Sequence, residues 1–211
     1  MRIPRHIGII PDGNRRWAKD RGKRKQDGYK HGLAPGVEVV RQAQKYGVEE
    51  ITFYGFTMDN CKRPQVQVVA FKEACVEAAR LISQEKVSLL VVGNSGSKCF
   101  PEELKQYLTR IDCNGGGIKV NLLINYGWEW DLSGIRRKNG EKVKEMLHSA
   151  DISRIDLIIR WGNRRRLSGF LPVQSVYADF YVIKEMWPDY APEQFDRAME
   201  WYHVQDVTLG G

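Results

Sequence analysis

The sequence predicts one α/β domain: a mostly parallel central sheet of about six strands, flanked by helices. Three observations predict it. Short apolar, β-rich runs alternate along the chain with stretches of helical period. The runs are apolar on both faces, as expected of strands covered by helices above and below. The length of 211 residues suits a single domain spanning 1–211, and an apolar share of 42% allows a sizeable core.

The elements follow in order. Residues 6–10 read as the first strand, and the segment after it enters a helix. Residues 32–46 read as a helix with Val37, Val40 and Ala43 on its apolar face, and 50–56 as the second strand. Pro64 suits a first helical turn, so a long helix is expected over 64–86. The third strand is 87–93, a helix covers 101–111, and the fourth strand is 117–126. Residues 131–148 read as a helix weakened by Gly134 and Gly140. The fifth strand is 154–160, the sixth 179–183, and the last helix 191–203. Repeats, low-complexity segments and long linkers are absent.

The formal charge is +7, with basic clusters at Arg15-Arg16, over residues 21–25 and at Arg164-Arg165-Arg166. Such an excess favours polyanions: nucleic acid, anionic lipid or diphosphate. No RNA-binding motif is visible, so nucleic acid is not expected. No run of eighteen apolar residues occurs, so no membrane-spanning helix is expected, and the first residues lack the apolar stretch of a signal peptide. A cytoplasmic protein is therefore expected. Cys61, Cys75, Cys99 and Cys113 have no CxxC spacing and are expected to be reduced.

In parallel sheets ligands gather at the carboxyl ends of strands. The chemistry-bearing segments fall there, after the first, second, fourth and fifth strands. After the first comes Pro11-Asp12-Gly13-Asn14-Arg15-Arg16-Trp17. Gly13 lets backbone approach a ligand closely. A helix start offers unpaired N–H groups, an anion site that Arg16 can strengthen. Asp12 is a hard oxygen ligand for Mg²⁺, and a carboxylate beside a phosphate cradle makes sense with a cation between them. By itself Asp-Gly-Asn is also a common turn.

The stretch HIGIIPDGNRRWA resembles the signature loop of cis-prenyltransferases, the undecaprenyl diphosphate synthase family, and the likeness extends over nearly the whole chain. The resemblance implies that Asp12 holds Mg²⁺ on an allylic diphosphate, that Gly13, Arg15, Arg16 and Trp17 bind the substrate, and that Asn14 assists the chemistry. Phe56-Thr57-Met58-Asp59-Asn60-Cys61-Lys62-Arg63-Pro64 resembles the family's FSxENxxRP, with Cys61 in place of a usual Trp. It implies Thr57 and Arg63 on substrate and Asn60 in the reaction centre. Asn125-Tyr126-Gly127 matches the family's NYG.

The run from Arg160 to Leu171 resembles R-T-S-G-E-Q-R-L-S-N-F-L, which implies Arg160, Arg166 and Ser168 on the second substrate's diphosphate. Asp179 stands where the family uses Glu near the metal, and so is a second expected Mg²⁺ ligand. A polyprenyl chain also needs an apolar tunnel. The small residues Ala74, Cys75, Ala78 and Ala79 on the long helix, beside Phe53 and Gly55, could leave one, although plain core packing would use the same residues.

The departures concern both substrates. Arg164 reverses the charge of a family Glu, Lys25 replaces an arginine and Tyr29 a histidine, and the tail Val207-Thr208-Leu209-Gly210-Gly211 keeps its glycines without the usual arginine. The long helix and the stretch after Asp131 look shorter than in long-chain enzymes. The resemblance thus implies a short or medium product and a homodimer in peripheral contact with a membrane surface. The acceptor is isopentenyl diphosphate, or dimethylallyl diphosphate as in lavandulyl-type members. The alternative is a non-catalytic family subunit that supports a catalytic partner.

Overall fold

Which strand runs centrally is decided by burial. β1 (His6–Ile10) is buried along its whole length and pairs in parallel with β2 (Glu50–Thr57) on one side and β6 (Leu157–Arg160) on the other. β5 (Ile118–Tyr126) and β3 (Val87–Val92) continue in parallel beyond β2, and β7 (Asp179–Val182) lies beyond β6. The short antiparallel β4 (Ile111–Cys113) closes the far edge, giving seven strands among the described residues, in the order β4-β3-β5-β2-β1-β6-β7. This computed structural model describes residues 2–136 and 142–206.

The expected mostly parallel sheet is present, with one more strand. β4 has three residues, none of them buried, and no apolar run to announce it. One sheet face is covered by α3 (Leu33–Tyr46), α4 (Gln65–Ile82) and α6 (Pro192–His203), whose Val39, Ala43, Ala79, Phe195 and Met199 pack with Ile7, Ile9, Ile51 and Leu89. Fully burying such side chains is worth about 1.5–3 kcal/mol each. The other face buries Ile10, Leu123, Tyr126, Ile158, Phe170 and Leu171, and loops cover it rather than long helices.

The helix expected over 131–148 is not formed among the described residues. α5 (Trp128–Leu132) ends early, and a short 3₁₀ turn follows at Val143–Met146. Asp131, 2% exposed, ties the segment to the core: its carboxylate accepts hydrogen bonds from the Tyr126 hydroxyl and the Ser149 hydroxyl, both at 2.7 Å, and from the Ser149 amide at 2.8 Å. A Cβ on Gly134 would lie 2.6 Å from the Met146 carbonyl oxygen, so the chain folds back across this glycine. The helix expected over 101–111 is likewise a 3₁₀ segment, Glu102–Leu108, running into β4.

At the amino end of the sheet His6 is 1% exposed. Its Nε2 faces the Thr52 hydroxyl at 2.8 Å and its Nδ1 the Ser153 carbonyl at 3.1 Å. Burial pushes this imidazole below its ordinary value of 6.5, against the opposing pull of Glu50 and the two nearby carbonyls. The neutral ring is thus favoured in the fold. Its contribution is complete above the unfolded value near 6.5 and is lost as pH falls toward the folded value. Urea midpoints should therefore fall below pH 6.5, and His6→Gln should flatten that segment of the curve. An unchanged slope in the variant would exclude His6 as its source.

Candidate active site

The carboxyl ends of β1, β2 and β6 open together into a pocket of about 630 Å³. Its first wall is the turn from β1 into α1 (Asn14–Asp20). Gly13 makes that turn at φ 111°, and a Cβ there would lie 2.8 Å from Met186 Cβ, so only glycine fits. No side chain caps α1, which leaves its first-turn N–H groups without helical acceptors.

Asp12 stands between two arginines. Arg160 Nη2 donates to its Oδ2 at 2.8 Å, and Arg16 Nη2 lies 3.6 Å from its Oδ1. Arg16 also donates to the Gly162 carbonyl at 2.8 Å. A Cβ on Gly162 would sit 2.5 Å from that same Arg16 nitrogen and 3.0 Å from the Asp12 carbonyl oxygen, so this glycine allows the loop after β6 to close on the loop after β1.

Arg160 is 3% exposed and organises the second wall. Its Nη1 donates to the Ser168 hydroxyl at 3.1 Å and to the Arg166 carbonyl, while its Nε is buried without a partner. The Tyr54 hydroxyl donates to the Ser168 carbonyl at 2.7 Å, tying β2 to the same loop. Burial raises the Tyr54 phenol, which therefore remains a donor at neutral pH. Register shifts after Tyr54 re-aim the end of β2 toward the pocket.

The third wall follows β2. Met58–Lys62 forms a 3₁₀ turn whose entry is held by Asn60, with its Oδ1 accepting from the Thr57 amide at 3.4 Å. Arg63 donates to the Tyr29 hydroxyl at 3.2 Å. Burial pulls the Arg63 guanidinium below its ordinary value, against the Tyr29 oxygen, yet an arginine so high on the scale stays charged. Behind this turn Cys61 Sγ lies 3.2 Å from Asn125 Oδ1, and burial, with Cys99 beside it, pushes its thiol up to about 12. Cys61 is thus a neutral packing group.

Of the residues singled out by sequence, Asp12, Gly13, Asn14, Arg15, Arg16, Lys25, Tyr29, Thr57, Asn60, Arg63, Arg160, Arg166 and Ser168 all line this pocket. Two do not. Trp17 is buried on the far side of α1, where its Nε1 donates to Asp189 at 2.7 Å and anchors the loop. Asp179 begins β7, paired with Leu157, and lies 3.8 Å from Arg2 at the amino end of the sheet. Within the chain it does not join Asp12 in holding an ion. The Asn125-Tyr126-Gly127 segment is also structural: Asn125 donates to the Asn94 carbonyl at 2.9 Å, and Tyr126 holds Asp131. Sequence reasoning missed Lys19 and Tyr54, which line the pocket; Lys19 follows Arg15 and Arg16 at helical spacing, a signal that was available.

Eight arginine and lysine side chains line the pocket against two carboxylates, Asp12 and Asp59. That imbalance suits a ligand with several negative charges. A second cavity, of about 110 Å³, adjoins it; Pro11, Asn14, Tyr29, Tyr54, Gly55 and Phe71 line both. Its inner wall is apolar, with Ala74, Cys75, Ala78 and Ile82 of α4 facing Phe53, Leu122 and Ile124. Polar head and apolar tail of one ligand would thus find matching surroundings side by side.

Among the described residues no group of three or more His, Cys, Asp or Glu could cage a metal. Mg²⁺ commonly uses one or two carboxylates together with substrate phosphates and waters. A single half-exposed carboxylate beside a phosphate-sized basic pocket fits that pattern, and Asp12 supplies it.

The chain matches the Prenyltransf family model, described as undecaprenyl diphosphate synthase, over residues 10–210. It is 32% identical over 232 residues to the ditrans,polycis-undecaprenyl-diphosphate synthase of Yersinia pseudotuberculosis, covering 100% of this chain and 91% of that protein. The corresponding Haemophilus influenzae enzyme is 30% identical, with 99% and 96% covered. Among solved structures, lavandulyl diphosphate synthase from Lavandula x intermedia superposes with a TM-score of 0.87 at 22% identity, covering 99% of each chain. An undecaprenyl diphosphate synthase fold from Campylobacter jejuni gives 0.78 at 21%, covering 100% of each. At these identities the two structures speak for the fold. Among the described residues no helix is long and apolar enough to cross a membrane.

Proposed function

Since the chain belongs to the undecaprenyl diphosphate synthase family of prenyltransferases, we propose that it condenses an allylic prenyl diphosphate with a five-carbon isoprenoid diphosphate, giving a short or medium product. The observation that carries this reading is the junction of a strongly basic pocket with an apolar cavity across six shared residues. A diphosphate head with a hydrocarbon tail is the ligand chemistry that matches both.

The donor diphosphate lies on the first turn of α1, with Arg15, Arg16, Lys25 and Arg63 around it. Mg²⁺, held by Asp12 and by diphosphate oxygens, would neutralise charge gathering on the leaving group. The arginines meet the same charge in a preorganised array. The C–O bond of the donor breaks with both electrons leaving on diphosphate. The acceptor's double bond attacks the allylic carbon, a C–C bond forms, and one proton passes from the acceptor to the departed diphosphate. Asn14 stands at the junction: its Nδ2 donates to the Pro11 carbonyl at 2.9 Å, and its Oδ1 is buried without a partner, an acceptor available near the reacting atoms. Asn60 lines the reaction side beside Thr57.

The acceptor's diphosphate is placed on Arg166 and Ser168, positioned by Arg160, with Arg164 adding a further charge. Holding both partners together supplies much of the rate. The acceptor is isopentenyl diphosphate, with dimethylallyl diphosphate giving a branched product as the second case. The second case is motivated by Arg164, which lines this wall where the resembling family carries a Glu. The small apolar cavity suits short tails. The convergence of Asp12, Asn14, Arg16, Asn60 and Arg63 in one pocket argues for an enzyme over a non-catalytic subunit. The protein works as a homodimer on this reading, and Val176 and Tyr177, each 64% exposed, offer an apolar contact surface.

Incubation with Mg²⁺, donors of five, ten and fifteen carbons and each five-carbon partner, followed by mass and stereochemical analysis of the dephosphorylated alcohols, tests this. A prenyl alcohol longer than the donor is expected. Linear cis products alone would remove the branched case, and no product from any pair, alone or with an added family subunit, would remove the reading.

A further inference from the structure

One aromatic ring stands at the junction of the basic pocket and the apolar cavity. Tyr29 lines both spaces and is 5% exposed. Its ring stacks on Phe71 with centroids 4.4 Å apart and planes 7° from parallel. Its hydroxyl accepts from Arg63 at 3.2 Å. Phe71 is itself wedged edge-on against Phe56 at 5.1 Å. The backbone behind Tyr29 has no room to withdraw. Gly28 opens α2 (Gly28–His31), and a Cβ on it would fall 2.1 Å from the Asn14 carbonyl oxygen, so α2 is pressed onto α1.

The wall across the throat is equally fixed. Gly55 lies there, and a Cβ would meet Ile124 Cδ1 at 2.9 Å and the Leu123 carbonyl oxygen at 3.0 Å. Gly55 adds no side chain of its own, and the Tyr29–Phe71 stack, with Pro11, Asn14 and Tyr54 beside it, bounds the passage between the two spaces. A tail whose diphosphate is anchored in the basic pocket must pass it to reach the cavity.

We propose that Tyr29 is the specificity-determining residue for donor length: its ring, locked between Phe71 and Arg63, admits short allylic tails and turns away longer ones. This rests on the prenyl-transfer reading above. Arg63 gives the device a second property, since it lines the pocket for the head and also holds the ring that screens the tail. A head group that draws Arg63 toward its phosphates loosens one of the two restraints on Tyr29. Head binding and tail admission are thereby linked.

The test compares the protein with Tyr29→Ala and Tyr29→Phe. Relative kcat/KM is measured for dimethylallyl, geranyl and farnesyl diphosphates with one five-carbon acceptor. The long-to-short ratio within each protein cancels any loss of folded enzyme. Pocket discrimination per carbon is worth about tenfold or more, so the farnesyl-to-dimethylallyl ratio should rise at least tenfold in Tyr29→Ala. Tyr29→Phe keeps the ring and its stack on Phe71 but frees it from Arg63, so the ratio should rise by clearly less than in the alanine variant. An unchanged ratio in Tyr29→Ala overturns the proposal, and so does a Tyr29→Phe ratio that shifts as far as the alanine variant's. Equilibrium binding of geranyl and farnesyl thiolodiphosphates, which do not turn over, reads the throat separately. If the unaltered protein transfers no prenyl group, the reaction fails while this binding ratio still tests Tyr29.

Discussion

Asp12→Asn should lower turnover by on the order of 10³-fold while leaving the donor bound. The two effects separate because the pocket's charges are so unequal. Eight basic side chains face Asp12 and Asp59 alone, so the Asp12 carboxylate opposes a diphosphate unless a cation lies between them. Asparagine removes that repulsion, and metal-free affinity for the donor should stay the same or increase. What it also removes is the hard oxygen that a divalent ion needs, and with it the stabilisation of charge on the departing diphosphate. The side-chain amide oxygen still accepts from Arg160, now 2.8 Å from the carboxylate, so the fold should survive. Calorimetric binding of a thiolodiphosphate donor, with and without Mg²⁺, would show the metal's enhancement lost in the variant. A variant with ordinary turnover would remove Asp12 from the chemistry, and one that failed to bind donor at all would make its role one of shape.

The parallel strands were legible because both their faces are buried, which forces unbroken apolar runs such as Ile7 to Ile10. β4 was not, since an exposed three-residue edge strand needs no pattern. Residues 131–148 misled for a different reason. Their helical period is real, but the buried Asp131 carboxylate binds Ser149 instead, and tertiary hydrogen bonds outweighed local propensity. In the site, motif membership located residues well and directions poorly. Successive residues of a helix point about 100° apart, so Trp17, next to Arg16 in sequence, turns into the core and finds Asp189. Asp179 is set apart by its place along a strand. It begins β7, whereas the pocket lies at the end where Val182 pairs with Arg160. The Tyr29 gate was invisible for want of long-range contacts: that Tyr29, Arg63 and Phe71 meet is a property of packing between α2 and α4. The tail from residue 207 onward, with its missing arginine, lies outside the described residues.

Arg160→Lys should raise KM for the five-carbon acceptor by about 10²-fold, because each hydrogen bond to a charged group is worth about 1.5–3 kcal/mol and one is certain to be lost. The charge is kept and the geometry is not. A guanidinium serves three acceptors from fixed directions: Asp12 Oδ2 at 2.8 Å, the Ser168 hydroxyl at 3.1 Å and the Arg166 carbonyl. An ammonium has three protons on one point and cannot reach across that span. Ser168 adopts φ 55°, an uncommon conformation for a serine, and needs its neighbours to hold it there. Without the fork, Ser168 keeps only the Tyr54 hydroxyl on its carbonyl, and the side chains of Arg166 and Ser168 no longer face a common point. Donor affinity should change far less, since Arg16 remains beside Asp12 at 3.6 Å. Initial rates with each substrate varied in turn give the split, and hydrogen exchange over 163–171 should quicken in parallel. Equal losses for donor and acceptor would mean that Arg160 supports the whole pocket, and an unchanged acceptor KM would take the acceptor diphosphate away from this loop.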